Sequence, residues 1–171
     1  MKKISLILLL LFFCVAIQAQ ENQIWHTDIK KAIAIATKEN KPLFLFFTGS
    51  DWCGWCIRLQ KEVFKTPEFS AWAKDKVVLV DLDFPQRTAQ DPEIKKQNAE
   101  LQQIFAVQGF PTIWFVKPTI KDRKNNLEQL GSTGYLAGGP AAWLANANTI
   151  ISKYVPDAPL KKNKKTKIKK A

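Results

Sequence analysis

Leu43 to Phe47 is an unbroken apolar run between Pro42 and Thr48, and it limits the folds open to this chain more than any other stretch. Its length is that of a strand, and no position in it suits water, so it reads as a central strand covered on both faces. Such a strand needs a packed layer on each side of its sheet. Val77–Leu82 is a second buried-type run, and Ile113–Val116, directly after Gly109-Phe110-Pro111-Thr112, is a third. Helical patterns alternate with these runs, which sets the class as a layered α/β domain. No internal repeat or low-complexity stretch occurs between Ile24 and Tyr154.

The helices announce themselves by caps and spacing. Asp28 caps a helix whose Ile29, Ala32, Ile33 and Ala36 share a face. Thr48 to Trp52 is a short turn, and from Cys53 a helical pattern places Cys56, Leu59 and Val63 on one side before stopping ahead of Pro67. After a polar excursion from Phe84 to about Asp91, Pro92 opens a helix with Ile94, Leu101, Ile104 and Phe105 as its inner face. A turn around Asp122–Asn126 leads to an edge strand at Leu127–Leu130, and Gly138-Gly139-Pro140 opens a closing helix through Trp143, Leu144 and Ile151. Trp72, Trp114 and Trp143 fall in core-like patterns.

The two ends do not belong to that pattern. Lys2 and Lys3 precede a greasy run from Ile4 to Ile17 relieved only by Ser5, the shape of a secretory signal. The run is short of the roughly 20 apolar residues that cross a bilayer. Cleavage is expected after Ala19, although Ile17 then occupies a position that favours a small residue; cleavage after Ala16 and retention as an anchor are the alternatives. Phe13 ahead of Cys14 argues against a lipid signal. At the other end Lys161, Lys162, Lys164, Lys165, Lys167, Lys169 and Lys170 crowd the last eleven residues. The expected organisation is a signal peptide over 1–19, a folded domain over 20–155 and a disordered, lysine-rich tail over 156–171.

Charge and cysteine content follow from that division. The formal net charge is +11; losing the two leader lysines leaves +9, and setting aside the seven tail lysines leaves +2 for the body. The tail lacks arginine for bidentate phosphate contact and aromatics for base stacking, so it reads as a solvated block that contacts anionic surfaces rather than a specific nucleic-acid site. The mature chain keeps only Cys53 and Cys56. In a periplasmic or secreted location such a pair is either a structural clip or a working redox couple.

Spacing favours the couple. Two cysteines three residues apart on the first turn of a helix lie close enough to close a disulfide. Unpaired amides at the helix start favour an anionic sulfur, which makes Cys53 the attacking thiolate and leaves Cys56, one turn further in, to resolve the mixed disulfide. A clip across so short a loop removes little unfolded-state entropy. A structural zinc site needs four ligands, whereas Cys53, Cys56 and His26 supply three, so no metal and no cofactor beyond the dithiol itself is expected. His26 reads as an ordinary structural or surface residue. Trp55 is expected to lie exposed as an apolar lip for substrate, with Trp52 packed into the domain.

Ser50-Asp51-Trp52-Cys53-Gly54-Trp55-Cys56, followed by Glu62-Val63-Phe64, Lys96-Gln97-Asn98 and Gly109-Phe110-Pro111-Thr112, resembles the thioredoxin superfamily over almost the whole body. The likeness is to secreted, single-domain bacterial thioredoxin-like proteins with a Trp-Cys-Gly-Trp-Cys motif. It implies a central mixed β-sheet flanked by helices and thiol–disulfide exchange on protein substrates. It also implies that Pro111 is a cis-proline facing the disulfide, with the Phe110 backbone free to pair with an extended substrate. Thioredoxins carry a buried aspartate six residues ahead of the first cysteine, and here that position is Phe47. Asp51, Glu62, Asp81 or water is left as the proton acceptor, and the sequence does not choose among them.

The function expected is therefore an exported thiol–disulfide oxidoreductase acting on cysteine-containing proteins and recycled by a redox partner protein, either membrane-bound or not. Reduction potentials of such motifs span about −270 to −120 mV, so the sequence leaves reductase, isomerase and oxidase directions open. The competing expectation is a non-catalytic peptide-binding module whose Cys53–Cys56 pair stays oxidised.

Overall fold

In chain order the elements are β1 (Trp25–His26), α1 (Ile29–Glu39), β2 (Leu43–Thr48), α2 (Gly54–Leu59, running on as a π-helical turn at Gln60–Phe64), α3 (Pro67–Lys76), β3 (Val78–Asp83), α4 (Pro92–Ile104), β4 (Thr112–Lys121), β5 (Lys124–Thr133) and α5 (Gly139–Ile151). The structure, a computed structural model, describes residues 23–121 and 124–157. The expected leader at 1–19, most of the lysine-rich tail, and Asp122–Arg123 of the expected turn lie outside the described residues. Among the described residues no helix is long and apolar enough to cross a membrane.

The strands form one mixed sheet in the order β1-β3-β2-β4-β5. β2 runs parallel to β3 and antiparallel to β4, so it is central, as its uniform apolarity requires. Successive side chains point to opposite faces. Phe44 and Phe46 therefore join Leu79, Ile113 and Phe115 beneath α2, α3 and α5, while Leu43, Leu45 and Phe47 join Val78, Val80 and Leu82 beneath α1 and α4. All six residues of β2 are buried. The mixed sheet flanked by helices is the fold class expected.

Several details depart from the expectations. Ile104 is 63% exposed, not inward-facing. The inner stripe of α4 runs Ile94, Asn98, Leu101, Phe105, and Ile104 sits one residue off it. Asn98 is fully buried, where it donates to the Asp83 carbonyl at 2.9 Å. α3 had no forecast: Thr66 caps it and Pro67 opens it, but only Phe69 and Ala73 turn inward. β4 and β5 extend well beyond the apolar residues that forecast them, as a hairpin of two ten-residue strands with Lys117, Thr119 and Glu128 on its outer stretch. Trp143 is fully buried, whereas Trp72 and Trp114 are half-buried.

The chain beyond α5 returns to the body. Asn40 closes α1 in the left-handed conformation at φ 54° and exchanges two hydrogen bonds with the Asp157 backbone, each 3.0 Å. Lys117 adds an ion pair with Asp157 at 2.7 Å. Asn40 precedes β2, so this contact lies at the end of the sheet opposite the one from which β2 delivers the chain to the cysteines.

Candidate active site

β2 ends at Thr48 and releases the chain into a turn in which Cys53 N donates to the Gly49 carbonyl at 2.9 Å. Cys53 is the extended N-cap of α2, and its Sγ accepts from Cys56 N at 3.2 Å. The sulfur thus sits where an otherwise unpaired helix-start amide points. Cys53 and Cys56 are joined as a disulfide across a Cα–Cα distance of 5.3 Å. Cys53 keeps 6% of its surface and Cys56 none, so what access the pair has is at Cys53, and it is narrower than a bare helix start suggests.

Two aromatic groups border that opening. Trp52 donates from Nε1 to the Phe84 carbonyl at 2.8 Å and meets Phe110 edge-on with centroids 5.8 Å apart, while Phe110 lies 5.1 Å from Phe84. The ring also lies over Gly49, where a Cβ would come within 2.5 Å of it. Trp52 is anchored, yet it remains 38% exposed, so it is not the packed-in residue expected. Trp55, at 55% exposed, is the projecting residue forecast. It meets Tyr135 at 5.0 Å, and the Arg58 guanidinium lies 5.4 Å from Trp55 and 5.2 Å from Tyr135.

Pairing of Phe47 with Thr112 sets the Gly109–Thr112 loop at the same end of the sheet as the cysteines. The Phe110–Pro111 peptide bond is cis. Gly134 lets the segment after β5 pass the Pro111 carbonyl, where a Cβ would come within 3.1 Å, and the next residue is the Tyr135 that braces Trp55. The sequence-forecast residues Cys53, Cys56, Trp55, Phe110 and Pro111 therefore gather at one end of the fold. Tyr135, Arg58 and Phe84 join them without having been forecast. His26 lies in β1, and no metal-holding group of three His, Cys, Asp or Glu occurs among the described residues.

The three carboxylates left open by the sequence have different surroundings. Asp51 accepts from Gln86 N, Arg87 N and Thr88 N at 2.9, 2.7 and 3.0 Å, and these bonds hold its carboxyl below the ordinary value while pinning the loop after β3. Glu62 accepts from Arg58 Nε at 2.8 Å and from Tyr135 Oη at 2.7 Å, and the Arg58 bond does most to hold it low. Both are committed acceptors. Glu62→Gln is accordingly expected to change the exchange rate less than tenfold, the scale below a general-base contribution of about 10²-fold; a larger loss would place Glu62 in the chemistry.

Asp81 differs from both. Its Oδ1 is sealed from solvent and has no hydrogen-bond partner among the described residues. Burial first, and the Asp83 charge second, raise its carboxyl from 3.8 to about 7. Because the folded value is the raised one, the fold is unpenalised below the unfolded pKa and loses stability as pH climbs through about 7. At about 1.36 kcal/mol per pKa unit the full cost is of order 4 kcal/mol. Asp81→Asn should therefore be more stable than the native protein in urea at pH 8 and match it at pH 4; equal midpoints at both pH values would contradict the burial argument.

The thioredoxin-like domain family matches residues 29–125. The disulfide bond reductase DsbH of Chlamydia pneumoniae is 34% identical over 133 residues, covering 78% of this chain and 75% of that protein. The thioredoxin-related protein DsbJ of the same organism is 28% identical over 141 residues, which cover 80% of this chain and 39% of that protein. Among solved structures, a DsbH oxidoreductase aligns at a TM-score of 0.68 and 32% identity over 77% of this chain and 86% of that one. A thioredoxin from Thermus thermophilus, at 19% identity and a TM-score of 0.56 over 77% of this chain and 88% of that one, shares the fold. With a helix-start disulfide on that fold and Dsb relatives of this identity, the protein is a Dsb-type thiol–disulfide oxidoreductase-like protein, and the chain belongs to the thioredoxin-like domain family.

Proposed function

We propose that the protein is an exported thiol–disulfide oxidoreductase that works in the reducing direction on disulfides of other proteins. The observation that carries this reading is the Cys53–Cys56 disulfide at the first turn of α2, opening between the exposed Trp55 and the half-exposed Trp52. Likeness to a protein named as a disulfide bond reductase favours the direction, and the leader-like residues 1–19 favour export.

The chemistry runs as two exchanges. The reduced protein attacks a substrate disulfide through the Cys53 thiolate, forming a Cys53–substrate disulfide and expelling the first substrate thiolate. Cys56 then attacks Cys53 Sγ, the bond to the substrate breaks, and the second substrate thiolate leaves. The substrate gains two electrons, and the protein returns to the disulfide. The Cys56 amide at 3.2 Å from Cys53 Sγ favours the thiolate as nucleophile and as leaving group. Trp55, Phe110 and Pro111 form the surface on which an extended substrate strand rests. A redox partner protein re-reduces the pair, and the dithiol is the only redox group the cycle uses.

Equilibration of the mature protein with glutathione buffers, read by tryptophan fluorescence, tests the direction. A potential near −270 mV, the thioredoxin range, is expected; a value near −120 mV would reverse the direction. Failure to catalyse insulin reduction by dithiothreitol would favour the permanently oxidised binding module.

A further inference from the structure

The second exchange requires Cys56 to lose a proton, and Cys56 is fully buried. Phe47, at the position where thioredoxins carry a buried acid, packs on the opposite face of the sheet, 6.1 Å from Phe105. The acceptor must be sought elsewhere. Along β3, Val78, Val80 and Leu82 face α1 and α4, whereas Leu79 belongs to the cluster of Cys53 and Cys56. Strand alternation puts Asp81 and Asp83 on that same side. Asp81 pairs in register with Phe46, itself a member of the cysteine cluster, and no bulge interrupts the β2–β3 ladder to change its face.

A second polar atom marks the same place. Thr48 is 1% exposed, and its Oγ1 also lacks a hydrogen-bond partner among the described residues. It follows Phe46 by two residues on β2, so it faces the same side as Asp81, at the same end of the sheet. Two buried orphan groups on one face are uncommon enough in a folded protein to need a reason. Asp83, level with Thr48, accepts from Ser50 N at 2.8 Å and from Ser50 Oγ at 2.6 Å, which ties this corner to the turn carrying Cys53. Arg58 and Glu62, on the helix packed over this face, are engaged with each other, and the neighbouring charge that acts on Asp81 is Asp83.

We infer that Asp81 is the proton store of the resolving step, taking the Cys56 Sγ–H proton as Cys56 attacks Cys53 and returning it when the disulfide is reduced. The balance is simple: as the Cys53–substrate bond breaks, the electron pair leaves with the substrate sulfur and the proton stays on the Asp81 carboxyl. Asp81 keeps the role of the missing aspartate but discharges it from a neighbouring strand and the other sheet face. This inference rests on the function proposed above.

The test is single-turnover resolution of a Cys53–glutathione mixed disulfide from pH 5 to 9 in the native protein and in Asp81→Asn. Loss of a general base costs roughly 10²-fold, so Asp81→Asn should resolve it about that much more slowly near pH 7, with the limb in the neutral range gone. Alkylation of Cys53 should be unchanged, which a variant that merely loosens the fold would not achieve. Native-like resolution with the same limb in Asp81→Asn would overturn the assignment. Infrared difference spectra of the native protein supply a second measurement: a protonated-carboxyl band should grow when the dithiol is oxidised near pH 7, and its absence would equally overturn it. If the native protein itself fails to form or resolve mixed disulfides, the proposed function fails instead.

Discussion

Replacing Cys53 by serine is expected to abolish catalysed disulfide exchange, by about 10³-fold or more, leaving only the uncatalysed thiol background. Serine has no accessible anionic form at neutral pH, and Cys56, fully buried, cannot substitute as the first nucleophile. The fold should survive, because the disulfide closes a loop too short to constrain the unfolded chain much, so the unfolding midpoint should stay near that of the reduced native protein. Cys56→Ser separates the two steps: it should still attack a substrate disulfide and then accumulate as a Cys53-linked adduct on a non-reducing gel. Adducts forming on Cys56 in Cys53→Ser would reverse the two roles and sink the reading of the helix start.

How far the sequence carried this picture depends on the range of the interaction concerned. The central strand was legible because burial on both faces leaves no polar position between Pro42 and Thr48, and the face of each residue then follows from alternation alone. Cys53 and Cys56 were legible because three residues on one helical turn fix their proximity. α3 was hidden because Pro67 reads as a stop, although Thr66-Pro67 is also a helix start, and only Phe69 and Ala73 of its residues turn inward. The length of the β4–β5 hairpin was hidden by polar residues that signal a loop until backbone pairing is seen.

The surroundings of the site were the least legible part. Tyr135 reaches Glu62 across 73 positions and Asp51 reaches the amides of Gln86 and Arg87 across more than thirty, and neither contact leaves a local trace. The sequence could therefore name three acids without ranking them. Only the distances separate two carboxylates that are fully engaged from one with an orphan oxygen.

Phe44→Ala should be the most damaging single truncation in the core. The ring meets Trp25, Phe64, Phe69, Phe115 and Trp143 at centroid distances from 5.3 to 5.9 Å, three helical segments and two other strands of the sheet converging on one side chain. Truncating a buried phenylalanine typically costs about 3–5 kcal/mol, transfer and cavity together, against a total stability of about 5–15 kcal/mol. At roughly 3–6 °C per kcal/mol for a domain of this size, the midpoint should fall by more than 10 °C. A fall of under about 5 °C would mean that the surrounding rings close the cavity. The consequence reaches the chemistry through Phe64, which belongs to the π-helical turn continuing α2 and packs on Phe44, Phe46 and Trp143. Loosening that turn frees the helix that holds Cys56 under cover. Reduced Phe44→Ala should therefore show faster alkylation of Cys56 while Cys53, fixed by its turn to Gly49, reacts as before; acceleration of both thiols in equal measure would instead indicate global unfolding.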